Sequence, residues 1–299
     1  MHPIVKEWQD LGLDAAAITS VALIHQKHGN EMYRICTHDR SYVLKYFSPA
    51  NDAREIQVYR LLQEGGVPTL PVYACSERSI LLEDLDTSPS WRLATEADVA
   101  RAETGAAVGR WYRQLHDFGC ALFQQDPARA AFLDSEYDAL DEATIRETAE
   151  QLDLAGLAVW ELAVQSVPVL KAALEQYPQT ICYNDFYWTN LALSRDTDPI
   201  EAIVFDYHLV GRGTAYSDWR NVVGSLRPEA KEAFLSVYGP VDKRQAVLDE
   251  PLALLYGLAV AVKRPRLPQW ALPLIEGVQR GHLERCLQEA WRSLGGEER

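Results

Sequence analysis

Residues 181–193 read Ile-Cys-Tyr-Asn-Asp-Phe-Tyr-Trp-Thr-Asn-Leu-Ala-Leu, and they are the most informative stretch of this chain. An apolar approach leads to Asp185, and Asn190 follows five residues later at the start of a short apolar segment. A polar turn then leads to a second apolar segment, residues 202–205, which ends at Asp206. Two short apolar segments that are joined by a polar turn predict a β-hairpin.

The predicted hairpin brings three oxygen-bearing side chains together. The midpoint between Asn190 and Asp206 is residue 198, inside the turn, so we expect these two residues side by side at the open end, with Asp185 just upstream. Mg²⁺ prefers hard oxygen ligands and keeps several waters, so an asparagine, an aspartate and nucleotide phosphates form a typical shell. A separate aspartate can orient a hydroxyl and accept its proton. The pattern indicates phosphoryl transfer; the alternative is three loop residues without a joint purpose.

The rest of the chain predicts an α+β fold, with a small β-rich lobe before a larger helical lobe. We place the boundary so that residues 1–85 form the first lobe and residues 86–299 the second. From about residue 96 onward the pattern is mostly helical, apart from the hairpin. The segments that we predict in the first lobe are strands at Val21–His25, Met32–Cys36, Tyr42–Phe47 and Ser79–Leu82, and a helix at Ala53–Glu64.

One lysine in the predicted β-rich lobe has an unusual setting. Strand alternation places Lys45 on the same face as its apolar neighbours Val43 and Phe47. A buried ammonium group is costly without a partner, so the pattern indicates a partnered lysine. The alternative is a lysine that extends from an edge strand to solvent.

The series Asp185, Asn190 and Asp206 resembles the catalytic loop and metal-binding aspartate of the aminoglycoside phosphotransferase and choline kinase superfamily. The resemblance implies a two-lobed protein-kinase-like fold. It also implies that Asp185 is the catalytic base and that Asn190 and Asp206 hold Mg²⁺. The family usually carries His-Gly-Asp, whereas this chain has Tyr183-Asn184-Asp185, which keeps the carboxylate and replaces the imidazole that braces the loop.

The same resemblance suggests a nucleotide site in the first lobe. It implies that Lys45 contacts the α- and β-phosphates and that Glu55 is its ion-pair partner. Glu55 also fits a capping box that begins at Asp52, and the two roles compete for one side chain. The segment Ile80–Leu85 resembles the hinge that joins the lobes, so Glu83 and Leu85 are expected beside the adenine.

Two further positions resemble the family, each with an ordinary structural alternative. The segment that ends at Asp218 resembles a stretch whose aspartate braces the catalytic loop, but a surface or capping role fits equally well. His116 resembles another common family position, where we favour a core or capping histidine.

Composition excludes several classes of protein. The formal net charge is −14, which argues against nucleic-acid partners because these need a basic surface. No apolar run reaches about 18 residues and no signal-peptide core is evident, so we expect a cytoplasmic protein without a membrane partner. Residues 251–262, the longest apolar stretch near the C-terminus, are interpreted as a buried helix. The five cysteines are scattered without a CxxC pair, which indicates reduced thiols and argues against a zinc site.

The sequence therefore predicts a Mg²⁺-dependent phosphotransferase that moves the γ-phosphate of ATP or GTP to an alcohol group of a small molecule, as in aminoglycoside resistance. We expect a cationic acceptor because eight acidic residues fall between Asp134 and Asp153, with Trp160 and Trp188 as possible aromatic contacts. A solvated acidic face is the alternative. Two other functions stay open: a nucleotide-binding pseudokinase that binds a partner, and a metal-dependent hydrolase.

Overall fold

The structure, a computed structural model, describes residues 3–27, 30–48 and 53–295. Its helices and strands divide into an antiparallel sheet in the N-terminal region and a mainly helical C-terminal part, which confirms the predicted α+β class. In chain order they are α1 (Pro3–Asp10), β1 (Ile18–Lys27), β2 (Asn30–Thr37), β3 (Ser41–Tyr46), α2 (Arg54–Glu64), β4 (Val72–Cys75), β5 (Ser79–Glu83), β6 (Trp91–Leu93), α3 (Ala102–Gln125), α4 (Glu142–Gln151), α5 (Val159–Leu174), β7 (Gln179–Cys182), β8 (Leu191–Ser194), β9 (Ala202–Val204), β10 (Gly211–Thr214), α6 (Ala215–Ser225), α7 (Pro228–Tyr238), α8 (Lys243–Val262), α9 (Leu272–Gln279) and α10 (His282–Ser293).

The N-terminal sheet has five antiparallel strands in the order β1-β2-β3-β5-β4. The apolar runs that predicted strands fall in β1, β2, β3 and β5, and the predicted helix is α2, which ends at Gly65. One face of the sheet packs on α1, where Trp8, Tyr33, Ile35 and Leu44 are buried together. Burial of this face fixes which side chains of β3 point toward the opposite one, Lys45 among them.

The predicted hairpin is present as β8 and β9, but its register differs by one residue from the symmetric pairing. Leu191 pairs with Val204, and the backbone N–H of Phe205 donates to the Asn190 carbonyl at 3.0 Å. Asn190 therefore lies opposite Phe205, and Asp206 is the next residue along the chain. A single central residue exists only when an odd number of residues separates two partners, as for Asn190 and Asp206. The observed partners, Asn190 and Phe205, are separated by an even number.

Several short elements were missed in the sequence. The strands β4, β6, β7 and β10 had no assignment, since runs of three or four residues are too short to show a period. The eight-residue helix α1 also had none. The first long helix of the mostly helical region is α3, which begins at Ala102, contains His116 and continues to Gln125.

The described chain divides into two compact units that interleave along the sequence. Unit 1 comprises the chain up to Phe118 with Tyr183–Val210 and Asn221–Gly239, and unit 2 comprises Gly119–Cys182, Gly211–Arg220 and the chain from Pro240 onward. The division at residue 85 stays a prediction.

The helices α4, α5, α8 and α10 pack together in unit 2. Among the described residues one helix, α8, is long and apolar enough to cross a membrane by length and composition. Half of its most apolar window is buried within the protein, and Leu252, Leu255 and Leu258 lie in the core of unit 2. The interpretation of residues 251–262 as a buried helix is therefore consistent with the packing of α8.

Candidate active site

Lys45 is the centre of a buried ion-pair cluster in unit 1. Its side chain is only 11% exposed, and its Nζ lies 2.6 Å from Glu55 Oε2 and 2.6 Å from Asp206 Oδ1. Glu55, on α2, is also buried, and its Oε1 accepts a hydrogen bond from the backbone N–H of Tyr207 at 3.3 Å. The lysine therefore has the partners that strand alternation predicted, and the cluster links β3 and α2 to the residues that follow the hairpin.

The competing capping role of Glu55 involves Asp52, which lies outside the described residues. Among the described residues, both carboxylate oxygens of Glu55 have partners: Oε2 meets Lys45 Nζ, and Oε1 accepts from the backbone N–H of Tyr207.

The charges in this cluster stabilise each other. Burial by itself would lower the pKa of Lys45, but the carboxylates of Glu55 and Asp206 outweigh it and raise the pKa. Burial would raise the pKa of Asp206, but the hydrogen bond from His208 and the charge of Lys45 outweigh it and lower the pKa. Lys45 is thus held as an ammonium group and Asp206 as a carboxylate at neutral pH.

Asp185 and Asn190 are joined by a direct side-chain contact. Asn190 ends a short helical turn before β8, and its Nδ2 donates to Asp185 Oδ2 at 2.9 Å and to the Asp185 carbonyl at 3.2 Å. These two bonds fix the orientation of the amide, so that its Oδ1 points away from Asp185. A carboxylate and an oriented amide oxygen are thus held at the open end of the hairpin.

Two residues of this site have a left-handed backbone. Asn184 has φ 66° and Asp206 has φ 67°. Side chains other than glycine rarely adopt this region, and asparagine and aspartate do so most readily. The residue before the aspartate in the usual His-Gly-Asp pattern is glycine, so the conformation explains why asparagine can occupy that position here. Left-handed non-glycine residues are strained and often occur at functional sites.

Two buried tyrosines hold the chain just before Asp206. The hydroxyl of Tyr183 donates to the Phe205 carbonyl at 2.5 Å, and that of Tyr207 donates to the Val204 carbonyl at 2.6 Å. Both rings are fully buried and meet edge to face at 6.1 Å. The phenol at position 183 therefore braces the strand end in place of an imidazole, and the loop is not left without support.

His208 is a site residue that sequence reasoning missed. Its Nδ1 lies 3.3 Å from Asp206 Oδ1, and the hydrogen bond to this carboxylate raises the pKa of the imidazole. The sequence places His208 two residues after Asp206, but this spacing alone does not predict a contact. The short helical turn at Tyr207–Leu209 brings the ring back to the carboxylate.

The predicted hinge lies at the end of β5. The backbone N–H of Glu83 donates to the Pro71 carbonyl at 3.1 Å, and its side chain accepts a bond from Tyr73. The next residue, Asp84, is buried, and its carboxylate accepts from Arg34 at 2.7 Å and from Ser41 at 2.6 Å. The segment that continues to Leu85 therefore leaves the sheet from a firmly held position.

The two weaker sequence assignments are both buried. Asp218 is fully buried in the first turn of α6, which excludes a surface role. His116 is a core histidine, since its Nδ1 lies 2.7 Å from the hydroxyl of Tyr238.

One of the two predicted aromatic contacts is wrong. Trp160 is buried in the core of unit 2, where its indole N–H donates to the Leu154 carbonyl at 2.9 Å, so it offers no face to a ligand. Trp188 is partly exposed and lies beside the exposed ring of Tyr187, with 5.7 Å between ring centroids. Both rings belong to the loop between Asp185 and Asn190.

Residues 20–246 match the model of the phosphotransferase enzyme family. The chain belongs to this family. The match covers most of both units and includes every residue of the ion-pair cluster and the loop. A search of curated proteins found no match for this family member.

Solved structures extend the comparison to the fold. Choline kinase LicA from Streptococcus pneumoniae is similar with a TM-score of 0.61 and 12% identity, over 95% of this chain and 97% of that one. Spectinomycin phosphotransferase APH(9)-Ia, solved with ADP and spectinomycin, is similar with a TM-score of 0.58 and 13% identity, over 97% of each chain. The phosphotransferase APH(2'')-IIa, solved with streptomycin and ATP, is similar with a TM-score of 0.60 and 13% identity, over 97% of this chain and 98% of that one. At these identities the likeness shows the fold, which is the predicted two-lobed protein-kinase-like fold.

Proposed function

We propose that this phosphotransferase moves the γ-phosphate of ATP or GTP to a hydroxyl group of a small molecule. The observation that carries the proposal is the cluster of Lys45, Glu55 and Asp206, together with the Asp185–Asn190 contact at the start of the hairpin. Phosphoryl transfer needs positioning and charge stabilisation more than covalent chemistry. A held ammonium group, an oriented amide and two carboxylates supply both.

Each residue has a role that follows from its contacts. Asp185 would orient the acceptor hydroxyl and accept its proton, since Asn190 fixes its carboxylate at the loop. Lys45 would contact the nucleotide phosphates, with Glu55 keeping it charged and in place. The backbone of Glu83 and Leu85 would contact the adenine. Because the Glu83 N–H is already bonded, this residue can offer only its carbonyl.

The donor set of this site fits Mg²⁺. Asp206 presents a carboxylate whose low pKa keeps it ionised, and Asn190 presents an amide oxygen whose orientation is fixed by Asp185. These hard oxygen atoms are what Mg²⁺ prefers, and the remaining positions would go to phosphates and water. When bound, the ion would neutralise phosphate charge. Before Mg²⁺ binds, the positive charge of Lys45 would keep Asp206 ionised.

The acceptor that we propose is cationic and polyhydroxylated, such as an aminoglycoside. The chain carries a net charge of −14, and the exposed ring of Tyr187 and the partly exposed ring of Trp188 lie on the loop that holds Asp185. An aromatic face favours an ammonium group or a sugar ring. Similar structures include a choline kinase, a spectinomycin phosphotransferase and a phosphotransferase solved with streptomycin, and all three of these compounds carry positive charge. A cytoplasmic location and a part in antibiotic resistance belong to the same proposal.

The pseudokinase alternative is not favoured. A module that only binds nucleotide has no need for a carboxylate held at position 185, because the proposed role of Asp185 is to orient and deprotonate the acceptor. A metal-dependent hydrolase would leave Lys45 and its ion pairs without a role.

The test is a panel of candidate acceptors, scored by consumption of nucleotide in the presence of Mg²⁺. Asp185→Asn keeps an oxygen that can accept the Asn190 bond, so we expect a loss of about 10²–10⁴-fold in kcat with nearly unchanged nucleotide affinity. Asp206→Ala should instead weaken Mg-nucleotide binding in calorimetric titration. If Asp185→Asn kept more than a tenth of wild-type turnover, or if Asp206→Ala bound Mg-nucleotide as tightly as wild type, the assigned roles would be wrong.

A further inference from the structure

A cluster of three metal-binding side chains lies on the surface of unit 2, in residues that play no part in the proposed kinase site. His282 and Cys286 are four residues apart on α10, so they share one face of that helix. Glu250 comes from α8, which packs against α10 in the same unit. One ligand atom from each of the three lies within 4.8 Å of the others.

Two of the three separations between ligand atoms in this cluster are close to those of a zinc site. His282 Nε2 lies 3.5 Å from Glu250 Oε1 and 3.8 Å from Cys286 Sγ. Tetrahedral Zn²⁺ bonds of about 2.3 Å to sulfur and about 2.0–2.1 Å to nitrogen and oxygen place ligands about 3.4–3.6 Å apart. These two distances exceed the tetrahedral values by about 0.2 Å or less, and the separation between Glu250 and Cys286 lies within the 4.8 Å that bounds the cluster.

The ligand types select the metal. A thiolate is a soft ligand and an imidazole a borderline one, whereas Mg²⁺ and Ca²⁺ take oxygen ligands almost exclusively. We propose that Glu250, His282 and Cys286 form a Zn²⁺ site with water in the fourth position. The absence of a CxxC pair argued against a zinc site in the sequence, but that pattern does not detect a site with a single cysteine ligand.

The surroundings distinguish this site from a reactive cysteine. Cys286 is 7% exposed, so its sulfur is largely shielded from solvent and an exposed redox or catalytic role does not fit. His282 and Glu250 are 44% and 56% exposed at their side chains, so an ion can reach the cluster from solvent.

Cobalt substitution in the full chain, kept reduced with a phosphine, tests the site directly. Co²⁺ gives a near-ultraviolet charge-transfer band when a thiolate ligates it and visible bands typical of tetrahedral coordination. We expect one equivalent of Co²⁺ to produce both sets of bands and Zn²⁺ to abolish them. Cys286→Ser should remove the near-ultraviolet band, and His282→Gln and Glu250→Gln should each weaken binding at least about tenfold.

Two control variants separate this site from others in the chain. Cys75→Ser removes a cysteine on β4, and Asp206→Ala removes the proposed Mg²⁺ ligand, so both should keep the cobalt bands unchanged. The inference is overturned if wild type gives no near-ultraviolet band, or if Cys286→Ser or His282→Gln binds Co²⁺ as wild type does. Should Cys286→Ser lose helical structure by circular dichroism, His282→Gln decides, because its side chain lies at the surface.

Discussion

Lys45 shows how a single buried charge organises the proposed site. An ammonium group taken out of water is costly unless it is paired and hydrogen bonded. Two carboxylates at 2.6 Å repay that cost, and they come from α2 and from the residue after β9. The sequence predicted a partnered lysine from its apolar neighbours, but it could not show that Asp206 is the second partner, because that contact spans 161 residues.

Tyr183→Phe tests the phenol that replaces the usual imidazole. The variant keeps the buried ring but leaves the Phe205 carbonyl without its 2.5 Å hydrogen bond. We expect the free energy of unfolding to fall by about 1–3 kcal/mol and kcat to fall with it, since Asp206 follows this carbonyl. Urea denaturation and steady-state kinetics measure the two effects.

Tyr59→Phe is the matched control. Its hydroxyl is buried and, in the part of the chain that the structure describes, makes no hydrogen bond. Removing it should leave the stability unchanged or raise it. A Tyr183→Phe enzyme as stable and as active as Tyr59→Phe would show that the bond to Phe205 has no positioning role.

At the scale of elements, most of the longer apolar runs were predictable, whereas most isolated runs of three or four residues were not. The first three strands and α2 followed from apolar runs of five or more residues and from glycines that end the helix. The strands β6, β7 and β10 consist of three or four residues and form only because partner strands lie beside them. The register of the hairpin could not be fixed from the sequence, since a one-residue shift depends on the turn geometry.

The crossing of α3 and α7 in unit 1 depends on Gly105. A Cβ atom at this position would overlap the backbone carbonyl of Ala230, which cannot move aside as a side chain could. Gly105→Ala should therefore lower the free energy of unfolding by about 2 kcal/mol or more. The control is Gly224→Ala in α6, where a Cβ meets nothing within 4 Å, and a gain of about 0.5–1 kcal/mol is expected. Equal effects in urea denaturation would contradict this account of the crossing.

A buried carboxyl group contacts α6 in unit 2 and makes stability depend on pH. Burial raises the pKa of Glu136 to about 7, although the charge of Arg220 opposes the shift. Arg220 also pairs with Asp249 on α8 at 2.7 Å, and Ser217 donates to Glu136. The folded protein therefore holds a proton on Glu136 that the unfolded chain releases near pH 4.5.

The sign of the effect follows from this proton. The bound proton stabilises the folded state fully below about pH 4.5, and this contribution is lost as the pH rises to about 7. The total change in the free energy of unfolding is on the order of 3 kcal/mol. Glu136→Gln cannot titrate, so wild type should lose stability relative to this variant across that interval. Urea midpoints measured for both proteins at half-unit steps check it. A constant difference between the two proteins from pH 4.5 to 7 would show that Glu136 is not protonated in the fold.

At the scale of the whole molecule, charge is the property that bears on the acceptor. Seven of the eight acidic residues between Asp134 and Asp153 are exposed, and only Glu136 is sheltered. Some of this acid is used structurally, since Asp141 caps α4 and Glu142 pairs with Arg146. The remainder adds to a net charge of −14, which attracts cations over a distance set by ionic strength.

This charge predicts how acceptor binding responds to salt. The screening length falls from about 30 Å at 0.01 M salt to about 3 Å at 1 M, so the Kd of a cationic acceptor should rise roughly tenfold, or about 1.4 kcal/mol, over that range. A neutral sugar acceptor should show no such change in calorimetric titration. The double variant Glu147→Gln with Glu150→Gln, two exposed positions on α4, should reduce the salt dependence without altering the unfolding midpoint by more than a small amount. If neutral or anionic acceptors were phosphorylated preferentially, with a Kd that salt does not change, the cationic acceptor would be wrong, while the kinase assignment would stand on the cluster around Lys45.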